Sequence, residues 1–190
     1  KVGGQDQAFL AAALLGLVVH ETVAGLFRCE ATFGNWGNRD GQTSFLFFDR
    51  DVFEFGKDFA ITVGAATIFD GPITGLEAHF PEGRPPEIAV LAEDRFQDLR
   101  MTRRSRTFTD MSDSAVMSRI AQDHGLTPQI NVSGPTHKVL AQVNQSDLAF
   151  LRERARAVDA ELWMDGQTLH ADARAARSGS AKRLAYGREL

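Results

Sequence analysis

The chain has 190 residues, of which 43% are hydrophobic and 24% are charged, and its formal net charge at pH 7 is −4. These values are typical of a globular protein with one large or two small domains, and the negative charge gives a weak argument against general nucleic-acid binding. A single cysteine, Cys29, cannot form an internal disulfide, so cysteine usage does not indicate an oxidising compartment.

The N-terminal part of the chain contains an apolar run at residues 9–19. This run is too short for a membrane-spanning helix, which needs about 20 residues, so we expect a core helix or strand and no membrane segment. Residues 1–10 are predicted to be a loose lead-in and residues 14–22 a strand. Residues 27–33 alternate between apolar and polar side chains, which is typical of a half-buried antiparallel strand.

Short strands separated by turn signals continue from there. A loop is predicted at residues 34–41 and a turn at Asp70-Gly71, and the further strands are predicted at residues 45–48, 60–63, 67–69, 73–80 and 87–92. About seven short strands in roughly 80 residues favour a small antiparallel barrel or sandwich.

The composition changes near Asp94. Residues 93–101 are predicted to be a short helix, and residues 102–108 a basic, extended linker. A capped helix then begins at Asp110 or Ser112 and ends at His124-Gly125, because glycine is common just past a helix C-terminus.

A second group of elements follows this helix. Strands are predicted at residues 127–132 and 138–143, and Ser146 begins a helix that presents Leu148, Leu151 and Ala155 on one face. A hairpin over residues 162–171 turns at Asp165-Gly166. From Arg174 the sequence is rich in Ala, Arg, Ser and Gly, and residues 184–190 resemble the start of another strand.

The sequence therefore predicts an α+β fold that is mostly β, with two small antiparallel β-barrel-like modules joined and flanked by short helices. The predicted boundaries are residues 1–93 for the first module and 94–126 for a helical connector. The second module, a helix plus a hairpin, takes residues 127–175, and residues 176–190 form a linker and the start of a truncated next domain.

Residue types that could carry catalysis are scattered. His20, Glu21, Cys29 and Glu30 match no common metal-ligand spacing, and Cys29 lies on the apolar face of its strand, so we interpret it as a packed core thiol. The histidines stand singly, at His20, His79, His124, His137 and His170. We expect no enzymatic activity and no catalytic, cofactor or metal site.

Ordered sets of residues resemble the phage late control D proteins, which are baseplate hub proteins of contractile tails and are similar to the hub part of VgrG spikes. The sets are Leu17, Val19, Glu21, Thr22, Gly25, Leu26, Glu30 and Phe33; Phe69, Gly71, Ile73, Leu76 and Phe80; Asp94, Arg95, Leu99, Arg104, Arg106 and Phe108; and Asp113, Val116, Ile120, Ala121, Gly125 and Leu126. Together with the Ser146 helix and the hairpin that follows it, the resemblance covers residues 14–175.

The resemblance implies a homotrimeric ring that joins a tail tube protein to a spike protein or a C-terminal spike domain. The ring would belong to a virion tail baseplate or an injection particle that is assembled in the bacterial cytoplasm. No catalytic residues carry over, because the family's role is mechanical. Possible inter-subunit or lumen contacts are Arg100, Arg103, Arg104, Arg106 and Trp163, and ordinary solvated surface is the alternative for the arginines.

Two other functions stay open. A carbohydrate- or peptide-binding module would use Trp36 and Trp163 as aromatic platforms. A tail-associated hydrolase would need a nucleophile with a neighbouring base, and the sequence shows no such pair.

Overall fold

The computed structural model describes residues 1–22, 25–39 and 41–177. In chain order the elements are α1 (Ala8–Ala13), β1 (Leu14–His20), β2 (Arg28–Gly34), β3 (Trp36–Arg39), β4 (Gln42–Phe45), β5 (Asp58–Val63), β6 (Ala66–His79), β7 (Glu87–Glu93), α2 (Phe96–Arg100), β8 (Arg103–Ser112), α3 (Asp113–Asp123), β9 (Thr127–Asn131), β10 (Thr136–Ser146), α4 (Asp147–Ala157), β11 (Ala160–Asp165), β12 (Thr168–Ala173) and a 3-10 turn at Arg174–Ala176. The predicted fold class, α+β and mostly β, is confirmed. The strand predicted at residues 184–190 lies outside the described residues.

The N-terminal half forms an antiparallel five-stranded sheet in the order β1-β2-β7-β6-β5, which curls into a half barrel. Alternation places Cys29, Ala31 and Phe33 of β2 inside. Phenylalanines fill much of this first core, and the rings of Phe33 and Phe53 lie 5.0 Å apart. Full burial of one such ring contributes about 2–3 kcal/mol. Buried Phe47 and Phe53 attach the segment between β4 and β5 to this core.

The C-terminal half has a separate buried cluster. Strands β8 and β10 form a two-stranded antiparallel ribbon, while β11, β12 and β9 form a second sheet in which β12 runs parallel to β9. Helices α3 and α4 supply much of this second core, including Met117, Ile120 and Leu151, none of which is measurably exposed. A two-stranded ribbon is marginal by itself, so the packed helices stabilise it.

The second half repeats one strand–helix–strand order, called a βαβ unit below, as β8-α3-β9 and β10-α4-β11, and the two strands of each unit lie in different sheets. Ser112 caps α3 and Ser146 caps α4, each accepting a hydrogen bond from the backbone N–H three residues later. Thr107 of β8 pairs with Ala141 of β10. Each of these two residues lies the same number of positions before the serine that caps the helix of its own unit. An approximate two-fold axis therefore passes between them.

Asp94 joins the two halves and is only 4% exposed. Its Oδ2 accepts a hydrogen bond from the N–H of Phe27 (2.7 Å), and its Oδ1 accepts one from the N–H of Phe96 (3.0 Å). Phe27 packs against the first core and Phe96 belongs to the second. One carboxylate thus holds the backbones of both halves.

The strands predicted at residues 67–69 and 73–80 are one continuous strand, β6, so the predicted turn at Asp70-Gly71 is wrong. A Cβ at Gly71 would overlap the carbonyl oxygen of Glu93. This glycine therefore allows two backbone segments to approach each other and does not form a turn.

The region around residues 34–48 also differs from the prediction. Strands β3 and β4 form a hairpin where a loop was expected, and the strand predicted at residues 45–48 ends at Phe45. The cause is buried Asn35, whose Oδ1 accepts the N–H groups of Leu46 (2.9 Å) and Phe47 (2.7 Å). These donors are consequently not used in a strand ladder.

Three smaller corrections concern the connecting segments. The linker predicted at residues 102–108 is extended, as expected, but it belongs to β8 and pairs with β10. The helix predicted at residues 93–101 is limited to α2. The lead-in is not loose, because Val2 is buried against the edge of β5 at Phe59 and α1 follows it.

Candidate assembly surfaces

Two of the arginines singled out from the sequence contact their own chain near the surface. Arg100 Nη2 donates to Glu93 Oε2 at 2.5 Å, and Arg103 Nη1 donates to the carbonyl of Asn144 at 3.1 Å. These contacts do not test a role between subunits, which stays a prediction.

The other two arginines converge on Asp147, whose side chain is 1% exposed. Arg106 Nη2 donates to its Oδ1 at 2.7 Å, and Arg104 Nε lies 3.1 Å from Oδ2. His124 Nε2 lies 2.8 Å from Oδ2, and the amide of Gln142 donates to Oδ1. Burial raises the pKa of Asp147, but hydrogen bonds from His124 and Gln142 and the charge of Arg106 outweigh burial and lower the pKa below its ordinary value.

Asp113 has the equivalent position in the first βαβ unit and is also buried. His137 Nε2 lies 2.9 Å from its Oδ2, and Arg154 Nε donates to its Oδ1 at 2.5 Å. Burial raises its pKa, but the hydrogen bonds from Arg154 and His137 lower it further than burial raises it. Each carboxylate belongs to one unit and its arginine and histidine partners belong to the other, so the two clusters clamp the units together.

Trp163 lies on β11 beside the junction of the two halves. Its ring stacks on His170 with centroids 4.8 Å apart, and the guanidinium carbon of Arg177 lies 4.2 Å from the ring centroid. A cavity of about 530 Å³ next to it is also lined by Glu21 and Phe27. The ring is therefore engaged by its own chain, which weakens its interpretation as an open sugar platform.

Strand β1 is an apolar edge of the five-stranded sheet. Its sequence, LLGLVVH, contains no Lys, Arg, Asp, Glu or Pro, and Leu15 and Val18 are 61% and 49% exposed. Within the described residues, no strand pairs with its outer side. Natural sheets usually protect such edges with charges, proline or a covering segment, and β1 carries neither a charge nor a proline.

An aromatic patch continues from this edge. Trp36, Phe45, Phe48 and Phe80 form it, with ring centroids of neighbouring members 4.9–6.2 Å apart. Trp36 is 46% exposed and Phe80 64% exposed. A groove of about 760 Å³ between Trp36 and Leu15 joins the patch to β1. Contiguous apolar surface of this kind usually marks a contact with another molecule.

Cys29 is not activated as a nucleophile. Burial, helped by the charge of Glu30, raises the pKa of the Cys29 thiol to about 12, so the thiol is protonated and is a poor nucleophile. No group of three or more His, Cys, Asp or Glu side chains in the described ranges could hold a metal ion. Nor does any helix in those ranges have the length and apolar character to cross a bilayer.

The sequence did not reveal the exposed apolar edge. The prediction placed the start of β1 in the core, whereas Leu14 and Leu15 are exposed. The absence of charge along β1 was the one feature of the sequence that bears on its position. Central strands also lack charge, so this feature does not identify an edge.

A family model described as the Alg8 N-terminal domain matches residues 32–190. No curated protein sequence matches the chain significantly.

Solved structures with a similar fold include phage tail proteins and a secretion component. The 43 kDa tail protein of prophage MuSo2 from Shewanella oneidensis has a TM-score of 0.66 at 12% identity, covering 82% of this chain and 49% of that one. A type VI secretion component of E. coli, described as structurally similar to the T4 bacteriophage tail proteins gp27 and gp5, has a TM-score of 0.57 at 12% identity and coverages of 84% and 49%. A tail protein from Neisseria meningitidis has a TM-score of 0.59 at 10% identity and coverages of 82% and 45%. The chain thus shares the fold of these proteins and spans about half of their length.

Proposed function

This chain belongs to the Alg8 N-terminal domain family, and from the fold that it shares with phage tail proteins we propose that it is a structural component of a contractile tail or a related injection machine. In this proposal it acts as a baseplate hub like the late control D proteins and VgrG. Copies form a trimeric ring between the tail tube and a spike, in a virion tail or injection particle assembled in the bacterial cytoplasm. The first buried cluster is then the core of the predicted first module, and the second is shared by the predicted connector at residues 94–126 and the second module. The role is mechanical, without catalysis.

The observation that carries the proposal is the exposed edge of β1. An apolar strand with one unpaired side can add a strand from a neighbouring copy, which satisfies its backbone groups and covers Leu15 and Val18. A head-to-tail contact of this kind closes into a ring when its rotation allows closure. The N-terminal residues cover the far edge of the same sheet along Asp58–Ala60 of β5, so only the end of β5, at exposed Val63, offers a second strand for such pairing.

The outer face of the same sheet suits a water-filled channel. Arg28, Glu30, Glu77 and Glu93 line a concavity of about 440 Å³ on it. Charged side chains lose hydration energy when an interface covers them, so this face is the one that should remain solvated in an assembly. We place it toward the lumen of the ring.

The test is the mass of the purified chain and of two edge variants, by light scattering after size exclusion. We expect the parent to form a trimer, and Leu15→Lys and Val18→Lys to shift the mass toward the monomer, because a buried lysine would oppose contact with a second strand. The matched control is Val139→Lys, since Val139 is also 61% exposed but lies on β10. A parent that is monomeric at every concentration, or variants that assemble like the parent, would refute this role for β1.

A carbohydrate-binding function is a second candidate, because Trp36 stays half exposed beside Asn38 and Arg39 in the apolar groove. An aromatic face next to polar side chains is a common sugar-binding arrangement. Trp36→Ala should then abolish binding of an oligosaccharide in an array and leave the oligomeric mass unchanged. Loss of assembly without loss of glycan binding would favour the tail role.

A further inference from the structure

A pocket of about 220 Å³ at the C-terminal end of α4 concentrates positive charge. It is lined by Arg152, Arg156 and Arg174, with Ala155 and Leu162 forming an apolar floor. Arg152 and Arg156 are one helical turn apart, so both guanidinium groups lie on the same side of α4. Burial first, and then the Arg156 charge, lowers the pKa of Arg152.

The neighbouring acids do not balance this charge. Asp159 and Glu161 already contact Arg174, and Glu161 also accepts a hydrogen bond from Arg177 at 2.5 Å. Among the described residues, the exposed guanidinium of Arg156 has no ion-pair partner. The pocket therefore has an unmatched positive charge at its rim and a shape that admits a small acidic group.

The opposite end of the hairpin β11–β12 has an excess of negative charge. Asp165 is exposed at its turn and has no ion pair among the described residues. Asp70 lies against this turn, with Oδ2 3.6 Å from the position of a Cβ at Gly166. Burial raises the pKa of Asp70, and the charges of Asp58 and Asp165 raise it further against the opposing effect of Arg95.

We infer that the pocket beside Arg156 receives the Asp165 turn of a second copy of this chain. The inference rests on the proposed self-assembly and specifies its charged contact. The two surfaces are different and lie at opposite ends of one hairpin, so they can meet head-to-tail, which is the geometry that a ring requires. Pairing would reduce like-charge repulsion at both ends, and it fixes the orientation of neighbouring copies.

Charge exchange between two variants tests the inference. Arg156→Glu alone and Asp165→Arg alone should each weaken self-association about tenfold, and an equimolar mixture of the two should restore it in part, because each variant then meets an opposite charge. Arg156→Gln is a milder variant, since glutamate near a helix C-terminus also destabilises the helix. Arg119→Glu is the matched control, because Arg119 is exposed on α3 and pairs within its own helix with Asp123.

Light scattering and sedimentation at about 0.05 M and about 0.5 M salt supply the readout, and the parent should associate less at high salt. Single variants that associate like the parent would overturn the inference. The inference would also fail if Arg156→Glu weakens association and mixing with the Asp165→Arg protein does not restore it, because another acidic group would then occupy the pocket. If only the β1 variants disrupt the trimer, this contact is wrong and the proposed function stands. A parent that never associates overturns both.

Discussion

Asp113 and Asp147 occupy equivalent positions at the start of α3 and α4, and each binds a histidine and at least one arginine from the other βαβ unit. Each carboxylate is buried, so its partners are needed to offset the loss of hydration. Arg104 and Arg106, which were predicted as possible contacts between subunits, bind Asp147 of their own chain. The consequences of this clamp can be measured by stability alone.

Removing the Asp147 carboxylate should take away the buried anion that Arg104, Arg106 and His124 share. We expect Asp147→Ala to lower the free energy of unfolding by about 3 kcal/mol, because Arg106 and His124 are largely buried beside it. Urea denaturation measures this difference. The control, Lys138→Ala, removes the exposed pair with Asp110 and should change stability by no more than about 0.5 kcal/mol. Equal losses in the two variants would contradict the clamp.

Acid should weaken the same clamp. The pKa values of Asp113 and Asp147 are lowered in the folded state, so their stabilisation is present above the unfolded value of about 3.9 and is lost as the pH falls through the lower folded values. The pKa values of Asp70 and Asp94 are raised, and these two groups oppose the trend because the folded state takes up their protons first. Melting temperatures should therefore fall steeply only below about pH 4. In an Asp147→Asn variant the melting temperature should fall less at low pH. A variant whose melting temperature falls as much as that of the parent would count against this explanation.

Asn35 should be needed for the loop that follows β4. Asn35→Ala removes the acceptor of two backbone N–H groups, at Leu46 and Phe47, and unpaired buried donors cost about 2 kcal/mol in total. The comparison variant is Asn38→Ala, because Asn38 makes one exposed hydrogen bond to Gly41. Chemical denaturation should show a clearly smaller effect for Asn38. A reversed order would mean that the loop is held by its phenylalanines alone.

Gly71 should not tolerate even a methyl group. Alanine there would overlap the carbonyl of Glu93, and relieving the overlap requires backbone movement that costs about 1–3 kcal/mol. Gly16→Ala has no atom within 4 Å of the added Cβ and should be close to neutral in thermal melts. Similar melting temperatures for the two variants would show that β6 can shift at little cost.

The sequence predicted best the elements whose signals are local. The capping serines and the apolar faces gave α3 and α4, and Asp165-Gly166 gave the hairpin turn at which Gly166 has a positive φ of 53°. Long-range pairing left no such signal. The partner of β8, the overlap at Gly71 and the acceptor role of Asn35 each depend on residues distant in sequence.

The same limit applies to the assembly surfaces. Leu15 and Val18 look like core residues until the strand order shows that β1 is at an edge. The arginine cluster looked like surface, yet Arg106 is fixed by Asp123, Gln142 and Asp147. Which charges are matched internally can be read only from the three-dimensional arrangement.

Hydrogen exchange along β1, measured at low and high protein concentration, tests the central claim most directly. If neighbouring copies add a strand to this edge, backbone amides in residues 14–20 should exchange more slowly at high concentration, while those of β2, which is paired on both sides, should not change. Exchange in β1 that is equally fast at every concentration, in a sample whose mass shows a trimer, would contradict assembly through this edge.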